Sequence, residues 1–206
     1  MELPQALADI AEIRAQAAKA DVYRGYRSVP VALSGLMGLT AAWMQPRGLA
    51  GDPLGFVLYW VTVAVCAGFV GVSETVYNYV VHDQDFARRR TRHVVGQLLP
   101  SLFAGAVVTA AVVRLSAASS TNAPLVPLLP GLWALTFGLG IFASRPYLVR
   151  ASGWAALYFC AAGTALLWTA GGPETLNAWT VGGTFGVGQL LTAGVLYWNL
   201  EQDEWR

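Results

Sequence analysis

Two sets of polar residues share a spacing that could support chemistry. Glu74, Asn78 and His82 fall at i, i+4 and i+8, and Arg89, His93 and Gln97 repeat that spacing. Residues four apart lie on one face of a helix, so each set predicts a polar stripe. The stripes are close in sequence, so they belong to neighbouring antiparallel helices joined by a short turn, and their faces can meet. Glu74 then lies deepest, about two turns inside the boundary, with Gln97 nearest to it and His82 and His93 flanking the turn.

Three chemistries fit this constellation. In the first, a hydrogen-bonded and protonated Glu74 pins the hairpin together, because desolvation raises the pKa of a carboxylate in a membrane. In the second, the carboxylate, imidazoles and guanidinium form a proton or cation relay, or a cytoplasmic gate, in a transporter. In the third, His82 and His93 bind a metal with an acid among Glu74, Asp83 and Asp85. That is the weakest reading, since the ligand spacing is not compact. Haem ligation by two histidines fits worse, because both flank a charged turn rather than a buried pocket. The sequence identifies no cofactor.

The elements that must hold these residues are apolar. Of 206 residues, 55% are hydrophobic and 12% charged, and the mean hydropathy is +0.48. A soluble domain carries about twice that share of charge. There is one lysine, Lys19, against twelve arginines. This balance disfavours a soluble enzyme, an acidic disordered chain and a basic nucleic-acid binder.

Six uncharged apolar stretches run about Val29–Met44, Pro53–Val72, Val94–Val113, Ala123–Ser144, Ala151–Ala170 and Asn177–Leu200. Most reach the ~20 residues that cross ~30 Å of hydrocarbon. The first is short, so its helix is expected to begin earlier, with Tyr23, Arg24, Tyr26 and Arg27 at headgroup level. The second is expected to run on to about Val81, which carries Glu74 into the helix. Alternating patterns are absent, which argues against a β-barrel. The expectation is an all-α integral membrane protein of six transmembrane helices over residues 23–200.

Breaker-rich connections such as QPRGLAGDP, SAASSTNAP, ASRP and GGPET separate the stretches, and none is long enough for a linker to a second domain. Residues 1–22 place Leu3, Leu7, Ile10, Ile13 and Ala17 near one face and predict an amphipathic cytoplasmic or interfacial helix. They do not resemble a signal peptide. Residues 201–206 form a short tail. With the N-terminus inside, eleven basic residues lie on the inner side, and only Arg47 and Arg114 lie outside. Both termini are therefore expected in the cytoplasm, with the protein in a plasma or inner membrane. The arginines at 88–90 and 92 follow from topology and anionic headgroups, without nucleic acid.

The chain also repeats itself. LSGLMGLT at 33–40 resembles LPGLWALT at 129–136. Trp60 with Cys66–Ala67 recurs as Trp154 with Cys160–Ala161, and VGQLL occurs at 95–99 and 187–191. The offsets are 96, 94 and 92, in order, one per helix. Helices 1–3 (about 23–115) and 4–6 (about 123–200) thus read as two copies. Three spans per copy require opposite insertion, giving an inverted-topology 3+3 repeat with a pathway between the halves. The second VGQLL makes Gln189 a further binding or gating candidate, although it lies near mid-span and Gln97 near a span end.

Most other notable residues have structural readings. Cys66 and Cys160 are expected to be small packing residues. Span 6, with Gly182, Gly183, Gly186, Gly188 and Gly194, is suited either to close packing or to a broken helix lining a cavity. Pro100, Pro127 and Pro130 could kink their helices. Trp198 and Trp205 fit an aromatic belt. No G-x-S-x-G, H-E-x-x-H, Walker or Rossmann motif is present, so an enzyme is not expected.

The expectation for function is a small transporter or channel-like protein, with a cytoplasmic-side polar site around Glu74 and an ion or small solute as cargo. The alternative is a non-catalytic signalling or scaffolding subunit, partnered by its own copies or by a membrane complex. A headgroup-modifying enzyme using His82, Asp83, Asp85 and nearby arginines ranks third.

Overall fold

The computed structural model describes residues 28–81, 85–118, 125–148, 150–171 and 176–201, without the side chains of 50, 71–81, 85–95, 147, 200 and 201. The expected N-terminal amphipathic helix, the early start of the first span and most of the tail lie outside the described residues. What is described is 92% helical and contains no strand.

Among the described residues six α-helices follow one another: α1 (Ser28–Met44), α2 (Pro53–Val81), α3 (Asp85–Ala118), α4 (Leu129–Ser144), α5 (Ser152–Thr169) and α6 (Ala178–Leu196). Three segments are long and apolar enough to cross a membrane: Pro53–Val70, Gly96–Ala118 and Val126–Ser144. Ser28–Met44 is a shorter apolar helix. As expected, α2 runs without interruption to Val81.

Local chemistry explains the helix boundaries. At the start of α6, Asn177 adopts extended backbone and its side-chain oxygen accepts from the Trp179 N–H at 3.2 Å. Such a side chain satisfies one of the N–H groups left over at a helix start. Pro127 lies in a 3-10 turn (Val126–Leu128) and Pro130 in the first turn of α4. There, proline's missing N–H costs no helical bond, so these two prolines start the helix and do not kink it. Pro100 lies inside α3. After Leu196 the chain passes into a π turn, Tyr197–Glu201.

The surface is apolar. Trp168 is 91% exposed and Trp43 81%, with Phe69, Phe103 and Trp154 close behind. Water would drive such side chains inward; lipid does not. The interior is correspondingly poor in large aliphatic groups and rich in glycine. Gly35, Gly38, Gly131, Gly138, Gly182, Gly186 and Gly188 are all buried. In lipid, helices associate through van der Waals contact and small residues, because apolar surface gains nothing by leaving the hydrocarbon.

Helix neighbours follow a recognisable plan. α1 packs most closely on α6 and α4 on α5; α3 packs on α4, α1 on α2 and α5 on α6, and α2 meets α3 only slightly. Half of the α4 span is buried, against 6% of the α3 span, so α4 is central and α3 peripheral. One apolar cluster gathers Phe56, Val57, Trp60, Leu129 and Val181, where α2, α4 and α6 converge with the end of α1. A second joins Ala134, Ile141, Ala156 and Phe159 between α4 and α5. The matched glycines of the sequence repeat serve different neighbours. A Cβ on Gly35 would meet α6 at the Gly186 carbonyl, whereas one on Gly131 would meet α5 at the Gly163 carbonyl.

Candidate functional site

The residues named from sequence divide into two groups. Glu74 and Asn78 lie on the last turns of α2, and Arg89 and His93 on the first turns of α3. Their side chains, and His82 entirely, lie outside the described residues. Gln97 is exposed at the start of the α3 span, while Gln189 is half-buried on α6. A Cβ on Gly35 would stand 3.1 Å from the Gln189 Cβ, which places Gln189 at the α1–α6 seam. Two copies of VGQLL thus present one amide outward and one to a helix interface. The described part of α2 and α3 meets so little that Gln97 has no partner there.

The seam itself is built by glycine. Gly35 and Gly38 on α1 face Gly182 and Gly186 on α6, with the Gly186 carbonyl 2.9 Å from where a Gly35 Cβ would stand. Backbones this close leave no room for a side chain between them. Of the two sequence readings of span 6, close packing holds for this stretch: α6 is continuous from Ala178 to Leu196.

Above the seam lies a polar set that the spacing argument missed. The Trp60 indole N–H donates to Gln45 Oε1 at 2.8 Å, and the Tyr59 hydroxyl donates to the Ala41 carbonyl at 2.7 Å. Trp60 packs edge-on against Tyr59, tilts against Phe56 and is 3% exposed. It also abuts Gly182, where a Cβ would collide with the indole ring. Together these tie α1, α2 and α6 at one end of the bundle. The available signal was Gln45, the amide that closes the first apolar run, followed by a Tyr–Trp pair one to two turns into the next helix.

Toward the other end, Phe137, Phe159 and Phe185 form a three-way aromatic contact across α4, α5 and α6, with centroids 4.9–5.7 Å apart. Tyr158 flanks it and donates to the Thr184 carbonyl at 3.2 Å. The Trp133 N–H donates to the Thr109 hydroxyl at 2.8 Å and ties α4 to α3. Cys160 fills the space over Gly138, as expected of a packing residue; Cys66 is exposed, and both thiols are free. Among the described residues no three histidine, cysteine or acidic side chains cluster as a metal site would require. His82 and His93 fall outside that description.

Chemically, the described interior can hold helices together and exclude water. Its hydroxyls mostly return to carbonyls of their own helices, as Ser144 does to Gly140 and Thr192 to Gly188. Compared with protein-family models, with curated proteins and with solved structures, the chain matches none.

Proposed function

We propose that this chain is a six-span membrane protein with both termini in the cytoplasm, built as an inverted 3+3 repeat, and that it works as a small transporter or channel-like protein. The observation that carries the reading is the plan of helix neighbours. Exchanging α1–α3 with α4–α6 maps each of the pairs α1–α6, α1–α2 and α2–α3 onto another pair in contact (α4–α3, α4–α5 and α5–α6), although the tightest partner is α6 for α1 and α5 for α4. The ordered sequence matches support the same exchange. Inverted repeats place their pathway between the halves. There, the Trp60–Phe56–Leu129 cluster would close it at one end with apolar bulk.

Glu74 supplies the polar site at the other end. Spacing alone sets it about two turns inside the boundary, but counted from Pro53 it lies 21 residues along α2, or roughly 31 Å at 1.5 Å per residue, close to the full thickness of the hydrocarbon. A carboxylate at that depth meets headgroups and water at an inner mouth, where it can take up and release a cation or proton. In proteoliposomes carrying a pH-sensitive dye and imposed Na⁺ or K⁺ gradients, native protein should give cation- or pH-dependent flux. Glu74→Gln should abolish it without changing the melting temperature. Equal flux in both proteins, or none in native protein, would remove the transport reading.

A scaffold role is the second reading, favoured by one observation. The α2 and α3 spans make few contacts within the chain, being 17% and 6% buried, which leaves their apolar faces open to a partner helix.

A further inference from the structure

We infer that two levels of exposed tryptophan fix this protein in a bilayer thinner than most, with a hydrocarbon layer of about 21–28 Å. The inference deepens the six-span reading above and rests on it. Five tryptophans are exposed among the described residues: Trp43, Trp154, Trp168, Trp179 and Trp198. Each lies within three residues of a helix end. Among the described residues only Trp60 and Trp133 donate their indole N–H within the chain, to Gln45 and Thr109. The five exposed indoles therefore need an acceptor from outside, which headgroups and water supply and hydrocarbon does not. Exposed phenylalanine has no such need and sits deeper. Phe103 lies between Ser101 and Gly105, which face Gly140 and Thr136 on α4.

Helix contacts bring these residues to two levels. A Cβ on Gly188 would collide with Phe159, and the Tyr158 hydroxyl reaches the Thr184 carbonyl, so these points of α5 and α6 share a depth. Trp168 is nine residues beyond Phe159 and Trp179 nine before Gly188, which keeps them level. A Cβ on Gly182 would touch Ala42, so Trp43 joins them. Arg114 approaches the same level, five residues past Thr109, whose hydroxyl meets Trp133 in the second turn of α4. At the other end Trp154 opens α5 next to Gly153, which borders the Arg145 guanidinium, and Trp198 follows α6. The charged side chains that are described, Arg47, Asp52, Arg114, Arg145 and Arg150, all lie near or beyond these two levels. The levels are 14 residues apart along α5 and 19 along α6, or roughly 21 and 28 Å at 1.5 Å per residue. A typical hydrocarbon layer is ~30 Å, and tilt only shortens the projected span, so the protein fits a thinner one.

The experiment reconstitutes full-length protein in phosphatidylcholine vesicles and reads tryptophan depth and melting temperature separately. Bromine is placed on the acyl chains either next to the headgroup or near the chain end, and the first should quench the fluorescence more. Trp154→Phe and Trp168→Phe should each remove part of the near-headgroup quenching and leave the chain-end quenching unchanged. Across unbrominated lipids of graded chain length, the melting temperature should peak in bilayers with hydrocarbon thinner than ~30 Å and fall as the chains lengthen. Trp154→Leu combined with Trp168→Leu should still fold, since both side chains are exposed, and should flatten that dependence. A peak at ~30 Å or above, an unflattened dependence in the double variant, or stronger quenching of Trp154 and Trp168 from the chain ends overturns the inference. Each of those results leaves a membrane-spanning protein. Absence of quenching from both bromine positions overturns the six-span reading as well.

Discussion

Substituting alanine for single glycines tests the packing of this protein with its own controls. A Cβ added at Gly35 would come within 2.9 Å of the Gly186 carbonyl oxygen, 3.1 Å of Gln189 Cβ and 3.2 Å of Leu190 Cγ. The first of these is backbone and cannot rotate away, so α1 and α6 must separate. Overpacking of this kind costs about 1–3 kcal/mol, while replacing glycine by alanine inside a helix returns about 1 kcal/mol. Gly35→Ala should therefore destabilise the protein by up to about 2 kcal/mol. One turn along the same seam, a Cβ at Gly38 finds its nearest atoms at 3.5–3.6 Å, which is ordinary contact. Gly38→Ala should accordingly be neutral or stabilising by up to about 1 kcal/mol. On α2, Gly68 is exposed with nothing within 4 Å, and Gly68→Ala should behave like Gly38→Ala. Reversible unfolding of the three variants in mixed micelles, followed by circular dichroism, measures all three differences. Gly35→Ala as stable as Gly38→Ala would refute the close α1–α6 approach. A destabilised Gly68→Ala would instead show that another helix covers that face of α2.

Three further outcomes are expected. Gln45→Leu leaves the buried Trp60 N–H without its 2.8 Å acceptor and should cost about 1–2 kcal/mol in the same unfolding assay; no loss would show that the pair contributes nothing. Tyr59→Phe removes a 2.7 Å hydrogen bond to Ala41 and Tyr158→Phe a 3.2 Å one to Thr184, so the first should lower stability more; the reverse order would contradict their geometry. Pro100→Ala supplies the N–H that α3 lacks there and should raise stability by up to about 3 kcal/mol; a fall would show that α3 needs its proline to follow α4.

The sequence by itself determined the elements. Uncharged runs of about 20 residues can only be helices in lipid, where each backbone group must be satisfied within its own segment. The continuation of α2 to Val81, the start of α6 at Asn177 and the breaks between helices were all legible from residue types. So was Glu74, as an acidic residue on an otherwise apolar helix, although its surroundings were not. The tertiary structure decided which faces meet. Gln97 and Gln189 sit in identical VGQLL segments, yet one is exposed and the other stands at the Gly35 seam. Cys66 and Cys160 occupy matched positions, yet one is exposed and the other fills the space over Gly138. Gly35 and Gly131 align, yet their neighbours are α6 and α5. The physical reason is that these helices are apolar on every side. In water, a hydrophobic stripe marks the buried face before folding. In lipid no face is favoured in advance, so helix partners are selected only by the fit of small residues and a few hydrogen bonds, which exists once the helices have met.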